Sequence, residues 1–249
     1  MKDTKSLIVY PVWRLSIRLF HGLNFICVMG LIFIGLIIFY NKDLGVSSDG
    51  KILLKTIHVY IGYLFAINLI IRFISFFSQD RYSNGKAIFR FGKNDLQALI
   101  LFIKGRKSKE PSHYLGHNPL AKLMINILFL LLTAQAVTGL VLAGTDLYFP
   151  PFGDNIALWV TQGDPEKLAA LKPGSKEYVN IEAYNEMRTF RKPFITIHKY
   201  VFYSLLISIF LHILGVTIAE LKEKSGLISA MITGNKVFSS KPIDDKEEK

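Results

Sequence analysis

The sequence predicts an all-α membrane protein: a four-transmembrane-helix up-and-down bundle with a long periplasmic loop and a short interfacial cytoplasmic helix. Three observations lead there. Hydrophobic residues make up 51% of the 249 positions, more than a soluble domain of this size usually carries. Four windows, Leu19 to Tyr40, Ile57 to Phe77, Leu123 to Gly144 and Tyr200 to Ala219, are each long enough to cross about 30 Å of hydrocarbon, and Arg72 is the one formally charged residue in them. Basic residues crowd alternate connections.

The first window follows Trp13, Arg14, Ser16 and Arg18, and no small-residue cleavage site comes after it, so it reads as a retained span. Lys2, Lys5, Arg14 and Arg18 precede it, and Arg81, Lys86, Arg90, Lys93, Lys104, Arg106, Lys107 and Lys109 follow the second span, against Asp80, Asp95 and Glu110. Both regions are therefore expected on the cytoplasmic side. Asp146 to Lys192 mixes acidic and basic residues without that excess, which puts it outside and returns the C-terminus to the cytoplasm. The expected organisation is a cytoplasmic segment at 1–18, a four-helix domain at 19–219, and a cytoplasmic tail at 220–249. Within the domain, spans fall near 19–40, 57–77, 123–144 and 194–219, and the periplasmic loop is 145–193.

Between spans two and three, Asn94 is expected to cap a short helix through Leu96, Leu99, Ile100 and Ile103, whose apolar face lies in the membrane interface. Pro111 and Pro119 bracket a compact turn that contains His113 and His117. The outer loop has Pro150, Pro151, Phe152, Trp159 and Tyr184 with which to pack on itself, which makes it a platform for a partner. Lys241 to Lys249 reads as a disordered charged tail. The net charge of +11 is assigned to anionic lipid head groups, not to nucleic acid, because the basic residues flank apolar spans.

The histidines carry the chemistry. His198 and His212 are fourteen residues apart in the fourth span, so on an α-helix they share a face and differ in depth by about 21 Å. Given the alternating directions of the spans, His58 matches His198 near the outer surface and His21 matches His212 near the inner one. Two imidazoles per site suit a low-spin haem and leave electron transfer as its work. Zinc fits less well, since carboxylate and cysteine partners are missing at those depths. The lone Cys27 leaves no site for covalent haem attachment, so the expectation is two non-covalent b haems.

Gly22, Gly62, Gly139 and Gly215 are candidates for admitting the flat macrocycle. Arg14 and Arg18, two turns and one turn before His21, suit haem propionates, and they also satisfy the positive-inside pattern. His113 and His117 sit where a histidine bonds a propionate or a quinone carbonyl, or caps a turn; His117 is the cofactor-binding candidate of the two. Arg72 is expected to snorkel toward lipid head groups. Two alternatives stay open: a transporter or channel lined by histidines, and a quinol-dependent reductase of a small periplasmic substrate.

Val12-Trp13-Arg14 through His21, the span from His58 with Gly62, the stretch His113-Tyr114-Leu115-Gly116-His117-Asn118-Pro119-Leu120, Gln135 to Leu140, and His198 with His212 resemble the bacterial cytochrome b561 and nickel-iron-hydrogenase b-type cytochrome family. The resemblance implies an inner-membrane, multi-pass, di-haem electron-transfer subunit rather than a stand-alone enzyme. Its ligands would be His21, His58, His198 and His212. Its partners would be membrane quinone or quinol and a periplasmic c-type cytochrome or hydrogenase-like protein, with a homodimer as a further possibility. Gly22 departs from the aromatic residue that often follows the first histidine in that family.

Overall fold

The computed structural model describes residues 7–78, 80–89, 92–105 and 113–245. Of the residues that orient the chain, Lys2, Lys5, Arg90, Arg106, Lys107, Lys109 and Glu110 lie outside the described residues, as does Pro111 of the turn.

Four helices are long and apolar enough to cross a membrane: α1 (Leu15–Phe39), α2 (Ser48–Ser75), α5 (Pro119–Leu147) and α8 (Ile181–Glu223). Their apolar residues are widely exposed, Ile26, Phe33, Leu130 and Phe210 among them, each at more than 60%. Such faces are untenable in water and ordinary against lipid tails. The fold class is that of an all-α multi-pass membrane protein, consistent with a helical bundle.

Shorter elements fill the connections. They are α3 (Gly85–Phe89) and α4 (Lys93–Gly105) after α2, α6 (Gly153–Thr161) and α7 (Pro165–Ala170) after α5, and α9 (Leu227–Thr233) after α8. Strands β1 (Ile8–Pro11) and β2 (Asn235–Phe238) form a two-stranded antiparallel ribbon pairing Ile8 with Phe238 and Pro11 with Asn235. Lys93 opens α4, one residue before the expected cap, and Gly92 N–H donates to the Asp95 carboxylate. Leu96, Ile100 and Ile103 on it are exposed.

The helix that carries the fourth span starts at Ile181, thirteen residues before position 194. Pro193 suggests a boundary because it cannot donate to the helix ladder, yet α8 runs through it from Ile181. The first turns of α8 are held by side chains of the preceding segment: Asn180 caps Ala183 N–H through Oδ1 at 3.0 Å, and Val179 and Met187 pack with Ile156 and Val160 of α6. That tertiary support offsets the lost bond at the proline. Much of 145–193 is accordingly helical.

By contact, the chain divides into two compact units. One comprises Leu23–Leu69 and Leu131–Ser204; here Asp146 at the end of α5 is bridged by Lys55 of α2 at 2.8 Å and Arg191 of α8 at 2.6 Å. The other comprises Met1–Gly22, Ile70–Leu130 and Leu205–Lys249. Its core of Val12, Trp13, Leu115, Ala230 and Phe238 joins the two ends of the chain to the turn before α5. Val12 and Trp13 N–H both bond the Gly234 carbonyl, and Gly234 has φ +88 with Trp13 O where a Cβ would stand. Only glycine suits that position.

Two expectations are corrected within this unit. Arg72 does not snorkel: it is 4% exposed, donates to Ser83 O at 2.9 Å and Ser75 Oγ at 2.7 Å, and lies 4.4 Å from the Phe76 ring centre. The loop after α2 folds back and supplies the Ser83 carbonyl as a buried acceptor for the guanidinium. Nor is the start of the tail disordered. Ile243 N–H bonds His113 O, and the Asp244 carboxylate takes Leu115 N–H at 2.6 Å and Gly116 N–H at 2.9 Å. Residues 246–249 lie outside the described residues.

Candidate cofactor sites

The histidines come from three helices, His21 from α1, His58 from α2, and His198 and His212 from α8. They separate by unit. His58 and His198 fall in one unit, within electrostatic reach of each other, and His21 and His212 fall in the other, likewise within reach.

His198 is held by α5. The Thr138 hydroxyl gives its one proton to Ala134 O at 2.7 Å, so its lone pair accepts from His198 Nδ1–H at 2.9 Å. With the proton on Nδ1, Nε2 is left unprotonated to bind a metal, and Thr138 takes the orienting role a carbonyl or carboxylate plays behind many ligating histidines. Gln135 Nε2 stands 2.9 Å from that same Nε2, and its Oε1 is buried without a partner. A ligand at Nε2 would take the place of this amide. Polar Gln135 and Thr138 inside an apolar span are the signal in the sequence, and sequence reasoning missed Thr138.

Glycine flattens the approach of each ring in this unit. A Cβ on Gly139 would lie 3.4 Å from His198 Cε1, and one on Gly35 3.4 Å from His58 Cε1. Gly139 is among the glycines that the sequence singles out and Gly35 is not, because glycine is common in membrane helices and carries no distinguishing pattern. At the other three candidates, Gly22, Gly62 and Gly215, a Cβ would meet nothing within 4 Å. His58 Nδ1 is buried and unpartnered.

In the other unit His21 is exposed and His212 half-buried. Beside them, His117 packs on Trp13 with ring centres 4.9 Å apart and is within electrostatic reach of His212. Burial pushes the His117 imidazole down to about 3, and the cations Lys236, Arg72 and Lys122 push the same way. His117 is therefore neutral at physiological pH, able to donate from one nitrogen and accept at the other. His113 packs edge-on against Phe238 at 5.2 Å, and its Nδ1 is buried and unpartnered.

The arginines are partly committed. Arg14 Nε pairs with Asp80 at 3.2 Å while its side chain stays 68% exposed. Arg18 Nη1 donates to Ile232 O, and its Nε is buried without an acceptor, as is Trp13 Nε1. Sequence reasoning missed Trp13 as a donor and missed Lys236 and Asp244, which look like ordinary residues of a charged tail.

Among the described residues no three His, Cys, Asp or Glu side chains gather closely enough to hold a bare ion. Two imidazoles per site instead fit a metal that arrives with its own in-plane ligands, as haem iron does. The orphaned His58 Nδ1, Arg18 Nε and Trp13 Nε1 leave polar atoms for such a group to satisfy.

Compared with known protein families, the chain matches prokaryotic cytochrome b561 over residues 12–234. That is most of its 249 residues, and the chain belongs to this family. A search of curated proteins found no match. Membership makes it a membrane cytochrome that binds b-type haem and transfers electrons.

Proposed function

We propose that this prokaryotic cytochrome b561 carries two b haems, one between His58 and His198 and one between His21 and His212, and conducts electrons across the bacterial inner membrane between the quinone pool and a periplasmic redox partner. The observation that supports it is the pairwise segregation of the histidines: each compact unit contains one pair in mutual reach, though two of the four share a helix. Along α8 the fourteen residues from His198 to His212 rise about 21 Å, which gives two cofactor levels at different depths.

Bound haem would supply a one-electron couple, and the paired imidazoles, His58 with His198 and His21 with His212, would hold its iron for electron transfer. The chain supplies the rest. Thr138 holds His198 in the ligating tautomer, and Gly35 and Gly139 let their helices lie close to the rings. Arg18 and Trp13 offer buried donors to the carboxylates of the haem held by His21 and His212. Neutral His117 suits a quinone carbonyl at the same end.

The positive-inside pattern puts both termini in the cytoplasm. On that orientation α6, α7 and the first turns of α8 form a periplasmic cap over the His58–His198 haem, the docking platform for the partner. Electron transfer needs proximity of cofactor edges, so a small, charge-steered contact is enough.

Pyridine haemochrome quantitation of the purified protein tests the reading directly. Two haems per chain are expected, with low-spin reduced-minus-oxidised bands that respond to added quinol. One haem would remove one histidine pair from the assignment; none would favour the histidine-lined transporter.

A further inference from the structure

The backbone of the turn before α5 finds its partners far away in sequence. Leu115 and Gly116 are buried, so their polar groups need partners. The C-terminal segment provides them. Lys236 Nζ, on a residue 3% exposed, donates to the carbonyls of Tyr114 at 3.2 Å, Leu115 at 2.8 Å and Gly116 at 3.0 Å. The Asp244 carboxylate accepts from the Leu115 and Gly116 amides, and Ile243 N–H donates to the His113 carbonyl. A Cβ on Gly116 would crowd that approach, meeting Tyr82 Cδ1 at 3.1 Å and Asp244 Oδ2 at 3.4 Å.

The same ammonium lies 5.4 Å from the Trp13 ring centre, and Trp13 in turn carries His117. His117 is in electrostatic reach of both Lys236 and His212. A full charge held in a largely dry site acts over a longer distance than one in water.

We propose that Lys236 and Asp244 are positioning residues of this cytochrome: together they clasp the His113–His117 turn, and the Lys236 charge favours the reduced state of the haem bound by His21 and His212. This rests on the assignment of those two histidines as ligands. Reduction adds an electron to the haem, so a fixed cation nearby makes it easier and raises the midpoint potential. Burial draws the Lys236 amine down to about 8 while Glu223 and Asp244 hold it up, which leaves it mostly protonated at neutral pH.

The experiment is a redox titration of the purified holoprotein carrying Lys236→Met or Lys236→Arg, with the haems told apart by the band missing from His212→Ala. Lys236→Met should lower the potential of that haem and leave the other where it is; Lys236→Arg should restore the wild-type value. A Lys236→Met protein with full haem content and both potentials unmoved overturns the charge effect. A shift of both haems equally would also overturn it, since that marks general loosening.

Hydrogen exchange checks the clasp without touching the charge. In Asp244→Ala the Leu115 and Gly116 amides should exchange at least about tenfold faster than in wild type, and unchanged rates would overturn the clasp even if Lys236→Met fails to accumulate. Failure of the di-haem reading is seen separately, as a wild-type haem count other than two, and leaves the exchange measurement interpretable.

Discussion

His198 and His117 are both steered by polar groups in a largely apolar setting, and the two are steered in different ways. The partners of His198, Gln135 and Thr138, are side chains of a neighbouring span. His117 depends on backbone hydrogen bonds to its own turn, made by Lys236 and Asp244 about 120 residues further on. Inside a membrane helix the main chain is already bonded to itself, so a side chain must do the orienting. At the end of a span the turn has free carbonyls and amides, and a remote segment can grip them.

The most severe break in the comparison is removal of the ligands. His198→Ala should eliminate one haem and His212→Ala the other, each leaving about half the wild-type pyridine haemochrome. If both variants lose the same band, the two regions do not serve separate cofactors.

Acid should destabilise the His117 side. An unfolded histidine takes up a proton near 6.5, whereas His117 does so only near 3 because of burial. The unfolded state therefore binds more protons in that window, and the stability contribution, full above about 6.5, is lost as pH falls toward 3. The loss is on the order of 3 kcal/mol, visible as a falling thermal midpoint between pH 7 and pH 4, and His117→Phe should flatten that slope.

Arg72→Met tests the packing beneath the turn. It leaves Ser83 O without its donor and removes the guanidinium from the Phe76 ring, for about 2 kcal/mol in thermal unfolding. A neutral outcome would mean that the buried charge is no better than a hydrocarbon there.

Thr138→Val keeps the shape and removes the acceptor behind His198 Nδ1. Haem should be lost about tenfold more readily from that site alone, as followed by transfer to apomyoglobin. The smallest effect is expected for Gly139→Ala, whose new methyl would sit 3.4 Å from His198 Cε1. About 0.5 kcal/mol and a slight change in one haem band are anticipated, and a large loss would mean that the ring cannot shift at all.

Much of this protein is legible along the chain. The four spans announce themselves by length and apolarity, and His198 and His212 are placed on one helix face by a spacing that no tertiary contact is needed to interpret. Other features are settled only by folding. Pro193 marks a helix end in sequence terms, and α8 passes through it because Val179 and Met187, either side of its start, pack on α6. Ile8 to Pro11 and Asn235 to Phe238 are too short and too far apart to signal a ribbon. Lys236 reads as a surface lysine until three carbonyls surround it. The difference is one of range: hydrophobic length and helical period are properties of neighbouring residues, while the partners of a buried polar group are whatever distant segment the fold brings to it.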